Sequence, residues 1–151
     1  MKKRILALAL SAAMALSLAA CSGGGDASGS GSGSGSGSNS GETKKVGLSM
    51  PTQSLERWNR DGSYLDEQFK SAGYETIITY SDNDTNRQVS DIQNMIAEGV
   101  DLLVVAAIDG EALNTVMNEA GEAGIPVIAY DRLIMNDNVS YYVSFDNYTV
   151  G

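Results

Sequence analysis

Two pairs of residues, a carboxylate beside a guanidinium and a guanidinium beside an indole, stand where apolar runs of the chain end. Asp131 and Arg132 follow the run in "VIAYDRLI", residues 127–134, and Arg57 stands beside Trp58 in "PTQSLERW", residues 51–58. A carboxylate beside a guanidinium at a strand tip is either a solvated turn pair or a built polar site. If built, its chemistry is that of hydroxyl recognition. Asp accepts hydrogen bonds from hydroxyls, Arg donates to hydroxyl or ring oxygens, and an indole face packs on the C–H side of a pyranose. Hydrogen bonds with one charged partner contribute about 1.5–3 kcal/mol each once water is excluded. On its own, Trp58 reads as ordinary helix packing ahead of ligand stacking.

Other polar residues follow the remaining apolar runs. Glu56 precedes Arg57, Ser81 to Asp84 follow a second run, Asp109 a third, and Asp146 with Asn147 a fifth. Asp146 or Asn147 reads as the N-cap of a helix rather than a ligand contact. The segment Asp82 to Asn86, "DNDTN", has a faint calcium-loop character. Arg87 stands where such a loop needs Gly and Gln93 where it needs Glu, so no metal is expected. Tyr141 and Tyr142 read as the core and cover of a strand. The sequence contains no histidine and a single cysteine, Cys21. That excludes Ser-His-Asp and Cys-His nucleophile systems and imidazole metal sites. Only Asp and Glu remain for acid–base work, so the expectation is a binding protein without cofactor, not an enzyme.

The elements that must carry these residues follow a repeated grammar. Three times an amphipathic stretch ends in Gly and an apolar run follows: "SAGYETIITY", "AEGVDLLVVAAI" and "EAGIPVIAY". Gly73, Gly99 and Gly124 stand where a helix C-terminus favours a left-handed residue. Val89, Ile92 and Ile96 fall on one helical face, and Leu113, Val116, Met117 and Ala120 on another. Thr85 with Gln88 has the form of a capping box. The runs "VGLSM", "TIITY", "LLVVAAI", "VIAY" and "YYVSF" alternate little, as strands covered on both faces do. Strand and helix in this order predict βαβ units and an α/β, three-layer parallel sheet. Ligands of such sheets bind beyond the carboxyl ends of the strands, where both of these pairs lie. "DNYTVG" after the fifth strand reads as the first turn of another helix, so the chain is expected to be part of something longer, with one face of its last strand uncovered.

Residues 1–20 carry Lys2, Lys3 and Arg4 and then an apolar stretch from Ile5 to Ala20. That stretch is shorter than the roughly 20 residues of a spanning helix and reads as an export signal. "LAAC", Leu18 to Cys21, has the form of a bacterial lipobox, which makes Cys21 the expected lipidation site. Ser22 to Gly41 holds nine Gly and eight Ser in twenty residues, the composition of a flexible tether. The expected organisation is therefore a signal over 1–20, lipidated Cys and linker over 21–43, and a folded lobe over 44–151. The chain has 10 basic and 19 acidic residues; losing three basic ones with the signal leaves 7 and a formal charge of −12. Such a surface repels nucleic acid, which is not an expected partner.

"SMPTQSLERWNRDG", "SDIQNMIAEGVDLLVVAAIDG", "IPVIAYDRLI" and "VSYYVSFDNYTVG" together resemble the N-terminal half of the xylose-binding and multiple-monosaccharide-binding receptors of bacterial ABC importers. These have the type I periplasmic-binding-protein fold. The resemblance runs from Val46 to Gly151. It implies that Arg57, Trp58, Asp131 and Arg132 line a sugar cleft, with an ABC permease and its ATPase as downstream partners. It also implies a second lobe that closes on the sugar, so this lobe alone is expected to bind weakly or not at all. A lipid anchor with a Gly/Ser tether points to an extracytoplasmic position on a Gram-positive cell surface. The alternative within the family is a sugar sensor coupled to chemotaxis or two-component signalling.

Overall fold

The helices of this chain begin and end where local chemistry dictates. A computed structural model describes residues 43–150; the segments read above as an export signal, the lipidation site Cys21 and a Gly/Ser tether lie outside them. The elements are β1 (Lys45–Met50), α1 (Glu56–Ser71), β2 (Glu75–Tyr80), α2 (Thr85–Ala97), β3 (Leu102–Val105), α3 (Asn114–Glu122), β4 (Val127–Tyr130), β5 (Val139–Val143) and α4 (Asn147–Val150). After α1, α2 and α3, Gly73, Gly99 and Gly124 adopt φ of +90°, +71° and +70°, the left-handed conformation expected of them. The capping box did not form as its spacing implied. Asp84, in extended conformation, caps α2 by accepting from the Arg87 N–H at 3.0 Å. Gln88 faces the sheet instead, because its position on α2 is shared with the buried Ile92 and Met95.

The five strands form one parallel sheet in the order β2-β1-β3-β4-β5. The fold is α/β, with helices on both faces. Alternate residues of each strand divide between the two. Leu103, Val105, Val127 and Ala129 pack with Ile92 and Met95 of α2 and with Leu113, Val116, Met117 and Ala120 of α3. Val46, Leu48 and Val104 pack on the other side against Leu65 and Phe69 of α1.

Three sequence expectations need correction. The run "LLVVAAI" is strand only to Val105, where the ladder to β4 ends at Val105–Ala129. Ala106 and Ala107 continue as buried coil. The last strand runs Val139–Val143 rather than Tyr141–Phe145, since β4 pairs with it from Val127–Val139 to Tyr130–Val143 across an irregularity in register. Tyr141 and Tyr142 are not core and cover. They are 68% and 48% exposed, and among the described residues β5 pairs on one side only, with β4.

Candidate functional site

The connections of the sheet diverge between β1 and β3: β1 leads through α1 to one edge, and β3 leads through α3 toward the other. That switch point opens a crevice at the carboxyl ends of the strands. The tip of β1 continues into buried Pro51 and Thr52, and the tip of β3 into Ala106 and Ala107. Gln88, fully buried, staples the two tips. Its Nε2 donates to Ser49 Oγ at 3.2 Å and to the Ala106 carbonyl at 3.0 Å, and its Oε1 accepts from the Ile108 N–H at 2.9 Å. All three of its bonds are made inside the protein, so the floor of the crevice is held rigidly.

Over this floor sit the four residues singled out in the sequence. Trp58, only 2% exposed, packs with Met50 and Ala106. The Arg57 guanidinium lies 4.6 Å from the centre of its ring, and that of Arg132 lies 5.2 Å from it. Arg57 also lies 5.4 Å from the Phe145 ring and forms a hydrogen-bonded ion pair with Asp131. That hydrogen bond, more than any other influence, holds the Arg57 guanidinium above its ordinary pKa. Arg132 donates from Nη1 to the Ala107 carbonyl at 2.8 Å. All four therefore converge on one place.

Asp131 itself is an unusual residue, with φ of +64°. Asp tolerates the left-handed region better than most side chains, and here the surroundings fix it. Its N–H donates to the Val143 carbonyl at 2.7 Å. Its own carbonyl accepts from Tyr142 Oη and Ser144 Oγ, each at 3.2 Å. The turn aims its carboxylate back across the crevice to Arg57. Beside it lies a cavity of about 160 Å³ lined by Tyr130, Asp131, Val143, Ser144 and Phe145. This is smaller than the roughly 300–1,000 Å³ of a whole ligand pocket, as a half-site would be. A shallower depression of about 590 Å³ lies at the amino-terminal end of the strands, between Lys44, Tyr74, Asp101 and Pro126. Its two charged groups pair with each other at 2.6 Å, so it lacks the convergent polar chemistry of the other end.

Other rim residues serve locally. Asp109 Oδ1 accepts from the N–H groups of Glu111 and Ala112 at 2.9 and 3.3 Å. Asp146 caps α4 through Tyr148 and Thr149. Asp82 pairs with Arg87, and buried Ser81 donates to Asp91 at 2.8 Å. In contrast, the sequence reading missed three residues that the fold brings to the crevice. Asp61 lies 3.6 Å from Arg57 Nε, a pair that the four-residue helical spacing encodes. Phe145 is 61% exposed beside Arg57; the sequence placed it as the last residue of the fifth strand, whereas that strand ends at Val143. Gln88 is the third, marked by its sharing a helical face with Ile92 and Met95.

Comparison with known proteins adds an independent line. Residues 46–151 match the family described as periplasmic binding protein domain. The chain is 50% identical over 107 residues to the multiple sugar-binding periplasmic receptor ChvE of Rhizobium radiobacter, covering 70% of this chain and 30% of that one. It is 42% identical over 107 residues to the D-xylose-binding periplasmic protein of Haemophilus influenzae, covering 71% and 32%. A crystal structure of an ABC transporter solute binding protein from Clostridium phytofermentans with bound β-D-glucose superposes with a TM-score of 0.69 at 56% identity, covering 71% and 33%. The chain thus spans about a third of the length of these relatives.

Proposed function

The chain belongs to the periplasmic binding protein domain family, and from that premise we propose that it is the N-terminal lobe of a monosaccharide receptor serving an ABC importer. The observation that carries this reading is the Arg57–Asp131 pair set across the crevice over Trp58, with Arg132 beside it. The carboxylate of Asp131 accepts from sugar hydroxyls. The two guanidiniums donate to hydroxyl or ring oxygens, and Phe145 offers an open aromatic face. A few charge-assisted hydrogen bonds of about 1.5–3 kcal/mol each reach micromolar affinity, about 8 kcal/mol. A glucose- or xylose-like aldose is the substrate class, in keeping with what the named relatives bind.

On this reading residues 44–151 supply one wall of the cleft and a second lobe closes over the sugar. The protein binds and releases its ligand without turnover. Residues 1–20 direct export, Cys21 carries a lipid in the membrane of a Gram-positive cell, and residues 22–43 tether the lobe so that sugar is handed to a permease with its ATPase.

The test is calorimetric titration of the full-length receptor with a panel of aldoses and ketoses, alongside a product assay. Micromolar binding of at least one aldose with no product is the expected result. Absence of binding across the panel refutes the reading. Palmitate labelling that disappears in Cys21→Ser checks the anchor.

A further inference from the structure

Asp61 touches both halves of the crevice. It lies one helical turn after Arg57, with its side chain 15% exposed and its carboxylate 3.6 Å from Arg57 Nε. From the other side it accepts a hydrogen bond from Tyr130 Oη at 3.3 Å. Tyr130 is the last residue of β4 and directly precedes Asp131. A second cation, Arg60, approaches Asp61 at 3.8 Å but is itself largely exposed. Arg57 therefore stands between two carboxylates. It is hydrogen-bonded to Asp131 and faces Asp61 at ion-pair distance.

This matters when a ligand arrives. A hydroxyl that donates to Asp131 competes with the Arg57–Asp131 bond, and the exposed Arg57 guanidinium, 43% accessible, is then free to swing out of the crevice unless a second partner holds it. Asp61 keeps a negative charge on Arg57 while Asp131 turns to the ligand, and its bond to Tyr130 holds the end of β4 in register with α1. We infer that Asp61, through Arg57 and Tyr130, is a positioning residue of the sugar site, one that holds Arg57 in place when sugar engages Asp131. The inference rests on the reading of this crevice as a sugar site.

The same geometry leaves a spectroscopic mark. Burial, and after it the Asp61 charge and hydrogen bond, push the Tyr130 phenol above its ordinary 10.0. Removing the charge at Asp61 should let Tyr130 ionise at lower pH. A residue that merely stabilised α1 would not do this and also change sugar affinity.

The experiment compares full-length wild type, Asp61→Asn, Tyr130→Phe and the double variant, using D-glucose and D-xylose as probes. Affinity is read by calorimetry, and Tyr130 ionisation by ultraviolet difference titration against Tyr130→Phe. Asp61→Asn is expected to weaken binding roughly two- to a hundredfold, the range of coupling between contacting residues. Tyr130 should titrate earlier in it, and the double variant should lose less than the two single losses combined. Wild-type affinity in Asp61→Asn, an unmoved Tyr130 titration, or strictly additive losses overturn the inference. If Asp61→Asn does not fold, Tyr130→Phe decides: undiminished affinity overturns it, and a loss supports it. A wild-type receptor that binds neither probe nor any other aldose removes the sugar reading and this role with it.

Discussion

Arg132 lies with its guanidinium 5.2 Å from the centre of the Trp58 ring while its Nη1 donates to the Ala107 carbonyl at 2.8 Å. One side chain thereby joins the turn after β4 to the tip beyond β3 and to the first turn of α1. The planar fork suits this, because a guanidinium can stack on an indole and still direct N–H groups sideways. A compact ammonium cannot do both.

Arg132→Lys is accordingly not a conservative change. It is expected to weaken sugar binding by the worth of one charge-assisted hydrogen bond, about 1.5–3 kcal/mol or roughly ten- to a hundredfold. The melting temperature should move by only a few degrees. Calorimetry on the full-length receptor reads the first and differential scanning the second. Unchanged affinity in Arg132→Lys would remove Arg132 from the site.

Trp58 raises a separate question, because packing and ligand stacking were both open from the sequence. At 2% exposure its ring belongs first to the packing of Met50 and Ala106. Trp58→Ala should therefore cost about 3–5 kcal/mol of stability in denaturant unfolding, with sugar affinity lost alongside. Trp58→Phe should retain most of both. A Trp58→Ala protein with wild-type stability and no sugar binding would show the opposite, an indole kept for the ligand alone.

The sheet was legible because both its period and its punctuation were written locally. Gly73, Gly99 and Gly124 marked helix ends, and "VIAY" matched β4 to the residue. What stayed hidden depends on contacts between distant segments. Nothing local shows that Arg57 meets Asp131, since 74 positions separate them. Gln88 formed half of an apparent capping box, and only the packing of α2 on the sheet turned it inward. The end of β3 at Val105 was hidden for a similar reason, because Ala106 and Ala107 are as apolar as the strand before them and are buried in the same way.

Acid should weaken the fold at a second, independent place. Asp66 Oδ2 accepts from Lys70 Nζ at 2.8 Å, and its other oxygen accepts from Thr76 Oγ1, tying α1 to β2. These bonds, that of Lys70 first, hold its carboxyl below the ordinary 3.8. A depressed carboxyl contributes stability above its unfolded value, and that contribution is lost as pH falls through the folded one. Asp66→Asn should thus be less stable than wild type at pH 6, with the gap closing below about pH 4. Thermal unfolding from pH 6 to pH 2 checks this, and parallel curves for the two proteins would rule out the linkage.

Gln88 offers the sharpest test of the crevice floor. It is fully buried, and its amide is matched by Ser49, the Ala106 carbonyl and the Ile108 N–H. Gln88→Met keeps much of the volume but takes the amide partner from the buried Ser49 hydroxyl, from a buried carbonyl and from a part-buried N–H, and a group so orphaned costs about 1–3 kcal/mol. The expected total is on the order of 2–5 kcal/mol in urea unfolding. Because those partners belong to the tips of β1 and β3, the loss should extend to sugar affinity even at temperatures where the variant remains folded. Gln88→Glu should fare worse still at neutral pH, since it directs a carboxylate at the Ala106 carbonyl. Wild-type stability in Gln88→Met would mean that the tips are held by the ladder alone, and that the staple has no part in shaping the crevice.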